Sequence, residues 1–465
     1  MRVADYIWKT LADWGTEHVF LVTGGGAMHL NDAFGHKEGL KCIYNHHEQA
    51  SAIAAEAYAR LNNNPALLCV TTGPGGTNAL TGVLGAWLDS IPMFVISGQV
   101  RYDTTARYAQ RFTDGLPLRA VGDQEYDITK TVSHMCKYAE MLEDPKQIKY
   151  MLEKAMYKMK SGRQGPVWLD IPVNFQGAEI ETDDLIGYTP ESGDAVPPAD
   201  LSTVRLILDK IKNAERPVIY AGNGIRLSGG YEKFRLLADR LGVPVVTYWD
   251  SVDIIETDNP LYCGRGGNMG DRAGNFAVQN SDFILAIGTR LSIRQVGYNW
   301  QTWARAAEVA MVDIDRAELK KHTIHVDIPV WADAEDFIEK MNSLIDDEEY
   351  PVFKNDSWRN QCVEWKNKYP VVQERHRTQS AENNANVFAF IDYLTNQLPE
   401  NSLTAVSNGA CCVVGHQCWN IKKGTRFIIN SAVASMGYGL PASIGLCISA
   451  DKKETVCLEG DGSIM

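Results

Sequence analysis

Short, mainly apolar runs recur along this chain, separated by stretches with helical periodicity. The N-terminal part holds Val19-Phe20-Leu21-Val22, Ala66-Leu67-Leu68-Cys69-Val70, Met93-Phe94-Val95-Ile96 and Val167-Trp168-Leu169-Asp170-Ile171. Runs without polar alternation suit strands covered on both faces, hence a parallel sheet between helix layers. A second set lies within residues 216–226, 243–246, 283–290 and 309–315, and most of its members end in Gly or Asp. A last run, Thr455-Val456-Cys457-Leu458, breaks into Glu459-Gly460-Asp461-Gly462-Ser463. The pattern predicts an α/β protein of three doubly wound parallel-sheet domains, the third truncated.

The expected boundaries are 1–185 for the first domain, 186–200 for a linker rich in Pro, Gly and acid, and 201–345 for the second domain. A charged helical connector follows at 346–384, and an incomplete third domain at 385–465. A domain of this type is expected to continue for about 100 residues past the Gly-Asp-Gly turn.

Composition narrows the function classes. With 465 residues, 45% hydrophobic and 22% charged, the chain can bury a large core. A net charge of −13 without Lys/Arg clusters argues against a nucleic-acid partner. Met1 leads directly into an amphipathic helical pattern, with no signal peptide and no membrane-length apolar run, so the expected compartment is the cytoplasm. The ten cysteines include the adjacent Cys411 and Cys412 but no C-x-x-C pair, which indicates neither a zinc site nor a disulfide framework.

Chemistry gathers at four places. Gly460 and Gly462 let the backbone approach a diphosphate, and Asp461 between them offers the hard oxygen a bridging Mg²⁺ requires. Alone, an Asp-Gly turn after a strand is more often only a turn. The second place is residues 44–60, where Glu48 opens an Ala-rich helix after a strand ending near Tyr44. The others are Thr71-Thr72-Gly73-Pro74-Gly75-Gly76-Thr77-Asn78 and Ser435-Met436-Gly437-Tyr438-Gly439-Leu440-Pro441-Ala442.

In this order and at these separations the four features resemble the thiamine-diphosphate enzymes, most closely the acetolactate synthase large subunits, including the branch found in surface-polysaccharide pathways. The resemblance spans essentially the whole chain. It makes 1–185 a pyrimidine-binding domain, 201–345 a central Rossmann-like domain and 385–465 a diphosphate-binding domain, with a cofactor cleft built between subunits. It implies a homodimer or homotetramer that decarboxylates a 2-oxo acid, pyruvate in the first instance, and transfers the C2 carbanion to a second carbonyl. Glu48 matches the glutamate on the aminopyrimidine nitrogen N1′, and Gln124 a substrate-side glutamine. Met436 matches the bulky residue that bends the cofactor, with Gly437 letting the next helix approach. Gly25, Thr72, Asn78, Asn408, Gly409, Gly460, Gly462 and Ser463 are implied in cofactor binding, and Asp461 in ligating Mg²⁺.

The chain also departs from that pattern. The asparagine that completes the metal site in relatives has its expected place beyond Met465. Cys411 and Cys412 stand where relatives commonly show Gln-His, and Asp123 where they carry Phe beside the glutamine. The relatives' domain order raises FAD in the central domain, for which Gly222-Asn223-Gly224 and Gly288-Thr289-Arg290 are weak markers, since parallel sheets use glycine there for packing. His46 and His47 beside Glu48 are read as structural or as proton-transfer aids. Three rivals stay open: a non-ligating 2-oxo-acid decarboxylase or lyase, a keto-sugar acyl-transferring relative, and a flavin- or nucleotide-binding assembly subunit.

Overall fold

Apolar runs become strands wherever both faces are covered. In the computed structural model, residues 1–191, 195–348, 353, 355–379 and 384–465 are described. Parts of the expected linker (192–194) and connector (349–352, 354 and 380–383) lie outside the described residues.

The first sheet contains β1 (His18–Leu21), β2 (Lys41–Tyr44), β3 (Ala66–Val70), β4 (Met93–Gln99), β5 (Tyr138–Met141) and β6 (Val167–Pro172). Their order is β2-β1-β3-β4-β6-β5 and every pairing is parallel. The four apolar runs form the inner strands β1, β3, β4 and β6, whose residues are all buried. The edges β2 and β5 keep polar, partly exposed residues.

A second parallel sheet runs β12-β11-β10-β7-β8-β9. It is built from β7 (Pro217–Ala221), β8 (Val245–Thr247), β9 (Tyr262–Arg265), β10 (Phe283–Ile287), β11 (Glu308–Asp313) and β12 (Ile328–Trp331). The third sheet is small: β13 (Leu403–Val406) lies between β14 (Arg426–Ile429) and β15 (Thr455–Leu458). Three parallel α/β sheets, the last of three strands, are the predicted class.

The backbone groups into two compact units rather than one per sheet. One comprises Met1–Asp194, Asn430–Cys457 and Asp461–Met465; the other comprises Ala195–Ile429 and Leu458–Gly460. Each has its own apolar core.

Within the first unit the helix Glu48–Asn62 is gripped between two others, Pro74–Asp89 and Gly439–Ser449. Alanines on its faces permit backbone contact with glycines opposite. A Cβ added at Gly82 would lie 2.5 Å from Ala52 Cβ, and one at Gly445 would lie 2.0 Å from the Ala54 carbonyl oxygen. Only glycine fits at either place.

In the second unit Asp253, 3% exposed, accepts from Arg226 Nε at 3.1 Å, Arg426 Nε at 2.9 Å and the Phe427 amide at 3.0 Å. The start of β14 is thereby tied to the segment Trp249–Ile254. Burying that carboxylate requires such charged partners. Among the described residues no helix is long and apolar enough to cross a membrane.

Candidate active site

Glu48 opens the helix Glu48–Asn62 directly after the chain leaves β2. His47 supplies the N-cap, its Nδ1 accepting from the Gln49 amide at 3.1 Å, which gives this histidine a structural role. The Glu48 side chain is buried, and Asn78 Nδ2 donates to one of its carboxylate oxygens at 3.0 Å. Asn78 comes from the first turns of the neighbouring helix, so two expected site residues, 30 positions apart, meet through one hydrogen bond.

The next wall is the turn after β3. Gly26 N donates to Thr71 Oγ1 at 3.1 Å, and Cβ atoms on Gly24 or Gly26 would strike Thr71 or Thr72. Gly25 between them faces open space, with no atom within 4 Å of a Cβ placed there. The Thr72 hydroxyl has two acceptors in reach, Gln99 Oε1 at 2.8 Å and the Gln124 carbonyl at 3.1 Å. It therefore builds the wall of the site and holds the Gln124 loop. Gly73 requires its positive φ of 60°, and the Gln124 carbonyl lies 2.6 Å from where its Cβ would be. Gln124 itself is exposed, as is Asp123.

Behind this wall Asp170 accepts from Ser97 Oγ at 2.6 Å and from Gln99 Nε2 at 2.9 Å. Burial pushes its carboxyl up to about 7, while the bonds from Ser97 and Gln99 work in the opposite sense.

The remaining residues of the first unit cluster at its C-terminal segments. Met436 is 62% exposed, and its methyl lies 3.2 Å from a Cβ placed on Gly462. Gly437, at φ 80°, has only the Ser463 carbonyl near it, 3.6 Å from a Cβ placed there. The expected turn thus follows β15, and Asp461 opens the short helix Asp461–Ile464 with an exposed carboxylate that accepts from the Gly462 amide at 2.9 Å. Asn408, Gly409 and Gly460 belong to the second unit. Gly409, at φ 88°, precedes the helix Ala410–Cys418, and a Cβ there would also meet nothing. Burial pushes the Cys412 thiol up to about 11, so it is a neutral thiol at physiological pH.

Within the first unit the Glu48 carboxylate oriented by Asn78, the exposed Met436 thioether and Gly25, where a Cβ would meet nothing, fit thiamine diphosphate. Asp461 is the carboxylate expected to face Mg²⁺; among the described residues no group of three His, Cys, Asp or Glu converges on a metal position. One carboxylate plus diphosphate oxygens is a usual protein contribution to Mg²⁺. The flavin markers have another cause. A Cβ at Gly222 would lie 2.2 Å from the Gly288 carbonyl oxygen, and one at Gly224 would lie 2.7 Å from Gly288 Cα, so strand-end packing accounts for these glycines.

Sequence reasoning missed two parts of this region. One is Gln99. The other is a buried cluster in which Tyr438, next to Gly437, donates its hydroxyl to Glu56 Oε2 at 2.9 Å, while Arg60 joins Glu56 to Asp89. Its signal was available: Glu56 and Arg60, four residues apart, are the charged pair in an otherwise Ala-rich stretch.

Comparison with known proteins adds the family. The N-terminal TPP binding domain of thiamine pyrophosphate enzymes matches residues 1–118, their central domain 204–341, and their C-terminal TPP binding domain 407–465. The acetolactate synthase large subunit of Buchnera aphidicola (subsp. Acyrthosiphon pisum) is 28% identical over 474 residues, covering 99% of this chain and 77% of the relative. That of Lactococcus lactis is 29% identical over 464 residues, covering 99% and 76%. The isozyme 2 large subunit of Escherichia coli is 28% identical over 473 residues, covering 100% and 79%. Three domain models in the expected order, together with relatives matched along the whole chain, show that it belongs to the thiamine pyrophosphate enzymes.

Proposed function

We propose that this enzyme is acetolactate synthase-like, decarboxylating a 2-oxo acid, pyruvate in the first instance, and joining the remaining two-carbon fragment to a second carbonyl. The observation that carries this reading is the buried Glu48 carboxylate, oriented by Asn78 at 3.0 Å. Bound thiamine diphosphate supplies the carbanion chemistry. Glu48 holds a proton at the aminopyrimidine nitrogen N1′, and its burial strengthens that hydrogen bond. Met436 would hold the bound cofactor through its exposed thioether, and Gly437 would leave room beside it. Asp461 provides the protein oxygen for Mg²⁺, with Asn408, Gly409, Gly460, Gly462 and Ser463 toward the diphosphate and Gly25, Thr72 and Asn78 on the pyrimidine side. Gln124 presents its side chain to the substrates. The reaction contains no redox step, so the proposal routes nothing through a flavin.

The test supplies the full-length protein with thiamine diphosphate, Mg²⁺ and pyruvate and follows carbon dioxide and acetolactate together. Both are expected. Carbon dioxide without acetolactate would move the acceptor to an aldehyde or keto-sugar, or the enzyme to the simple decarboxylases; neither product from pyruvate or other 2-oxo acids would overturn the reading.

We infer further that the working form is a cytoplasmic homodimer or homotetramer. Support comes from the segment holding Phe112, Leu116, Leu118, Val121 and Tyr126, whose apolar side chains are exposed in the single chain. Light scattering is expected to give a mass at least twice that of one chain, and a monomeric mass would remove the proposal.

A further inference from the structure

One buried side chain joins the Thr72 turn to the Gln124 loop with every polar position engaged. Gln99 is the last residue of β4 and is 1% exposed. Its Oε1 accepts from the Thr72 hydroxyl at 2.8 Å and from the Val100 amide at 2.9 Å. Its Nε2 donates to the Tyr126 carbonyl at 2.8 Å and to Asp170 Oδ2 at 2.9 Å. A primary amide has two N–H donors and two acceptor lone pairs, so Gln99 is saturated. Its mount is rigid: Asp170 is fixed by Ser97, Ser97 accepts from Trp168 Nε1 at 2.8 Å, and β4 and β6 pair Ser97 with Asp170.

Within the single chain, what Gln99 holds is otherwise loosely covered. Val121, Gly122, Asp123, Gln124 and Tyr126 are all exposed. Gln124 adopts φ 62°, a left-handed conformation that a non-glycine residue keeps only when its surroundings impose it. Glu125, buried, braces the loop from within by accepting from the Ala106 amide at 2.7 Å and the Val121 amide at 2.8 Å. Those bonds shape the loop but do not reach the Thr72 turn. The attachment to that turn runs through Gln99 and the Thr72 hydroxyl.

We propose that Gln99 is a positioning residue, fixing the Gln124–Tyr126 segment against the Thr72 turn and so setting where the Gln124 side chain meets the second substrate. The inference rests on the reading of Gln124 as a substrate-side residue. A side chain that only stabilised the sheet end would change folding without changing how the fragment is partitioned between products. A positioning residue changes that partition.

The experiment compares Gln99→Met, which keeps length and removes all four bonds, with Gln124→Ala and the unaltered full-length enzyme. Carbon dioxide release and coupled product are measured together, and hydrogen exchange is followed across residues 119–127 in protein prepared without cofactor. For Gln99→Met the yield of coupled product per carbon dioxide is expected to fall by about tenfold, as in Gln124→Ala, since a displacement near 1 Å at a reacting group can cost up to about 100-fold. Exchange across 119–127 is expected to rise about tenfold while β3 stays protected. An unchanged product ratio in Gln99→Met, with Gln124→Ala affected, would overturn the positioning role. An unchanged ratio in Gln124→Ala would instead overturn the substrate-side reading, and the inference with it. Should Gln99→Met not fold, Thr72→Val removes, at nearly constant shape, the hydroxyl whose single proton is shared between Gln99 Oε1 and the Gln124 carbonyl; the same fall in ratio is expected, and its absence overturns the proposal.

Discussion

Glu48→Gln is expected to lower turnover by about 10²–10⁴-fold, the usual range for a positioned acid–base group, while leaving the fold in place. Glutamine matches glutamate in size, and its carbonyl oxygen can still accept from Asn78 Nδ2 as the carboxylate does at 3.0 Å. The structural loss is one negative charge in a first helical turn, about 0.3–1 kcal/mol from the helix dipole. The chemical loss is larger, because a neutral amide cannot hold a proton at N1′. Turnover measured beside thermal denaturation separates the two. Full turnover in this variant would sink the thiamine mechanism, and a collapse of stability would recast Glu48 as structural.

The largest stability effect is expected about three helix turns beyond Glu48. Arg60→Ala removes the guanidinium that Glu56 and Asp89 share, leaving carboxylates that are 1% and 6% exposed without their cation. Breaking a buried pair in this way costs about 3–5 kcal/mol, because the stranded charge keeps its desolvation penalty. Burial already raises the Glu56 carboxyl above its ordinary range, with Arg60 opposing that rise. Lys9→Ala breaks a pair of the same i,i+4 spacing, with Asp13, but both side chains there are more than half exposed and the change is expected to stay within about 0.5 kcal/mol. Hydrogen exchange of peptides from the helix Glu48–Asn62 for Arg60→Ala, and from the helix Val3–Asp13 for Lys9→Ala, gives the two values. Less than about 1 kcal/mol for Arg60→Ala would mean that the cluster relaxes or hydrates on losing its cation.

The inner strands were legible because burial on both faces writes an unbroken apolar run, as in Ala66–Val70 and Phe283–Ile287. The edge strand Tyr138–Met141 was not, since its Tyr, Ala and Glu are partly exposed and resemble a loop in sequence. Glu48, Met436 and Asp461 were singled out through the family resemblance that the short motifs around them carry. The bonds among the site residues could not be read that way. That Asn78 reaches Glu48, or that Gln99 spans Thr72, Tyr126 and Asp170, depends on sheet register and helix crossing, which no local pattern encodes. The grouping into two units was hidden for the same reason, because it follows from which helices touch rather than from which residues are consecutive.

The glycine contact between Gly445 and Ala54 also dictates an order of events during synthesis. The helix Glu48–Asn62 leaves the ribosome before the second unit, but the partner that grips one of its faces, Gly439–Ser449, is made only after all of Ala195–Ile429. At ordinary elongation speeds of about 5–20 residues per second, that delay is on the order of 20–80 s. Throughout it the Ala-rich face around Ala54 is uncovered, while the intervening unit can gather its own core. The helix that carries Glu48 thus waits for one of its partners until an entire second unit has been made.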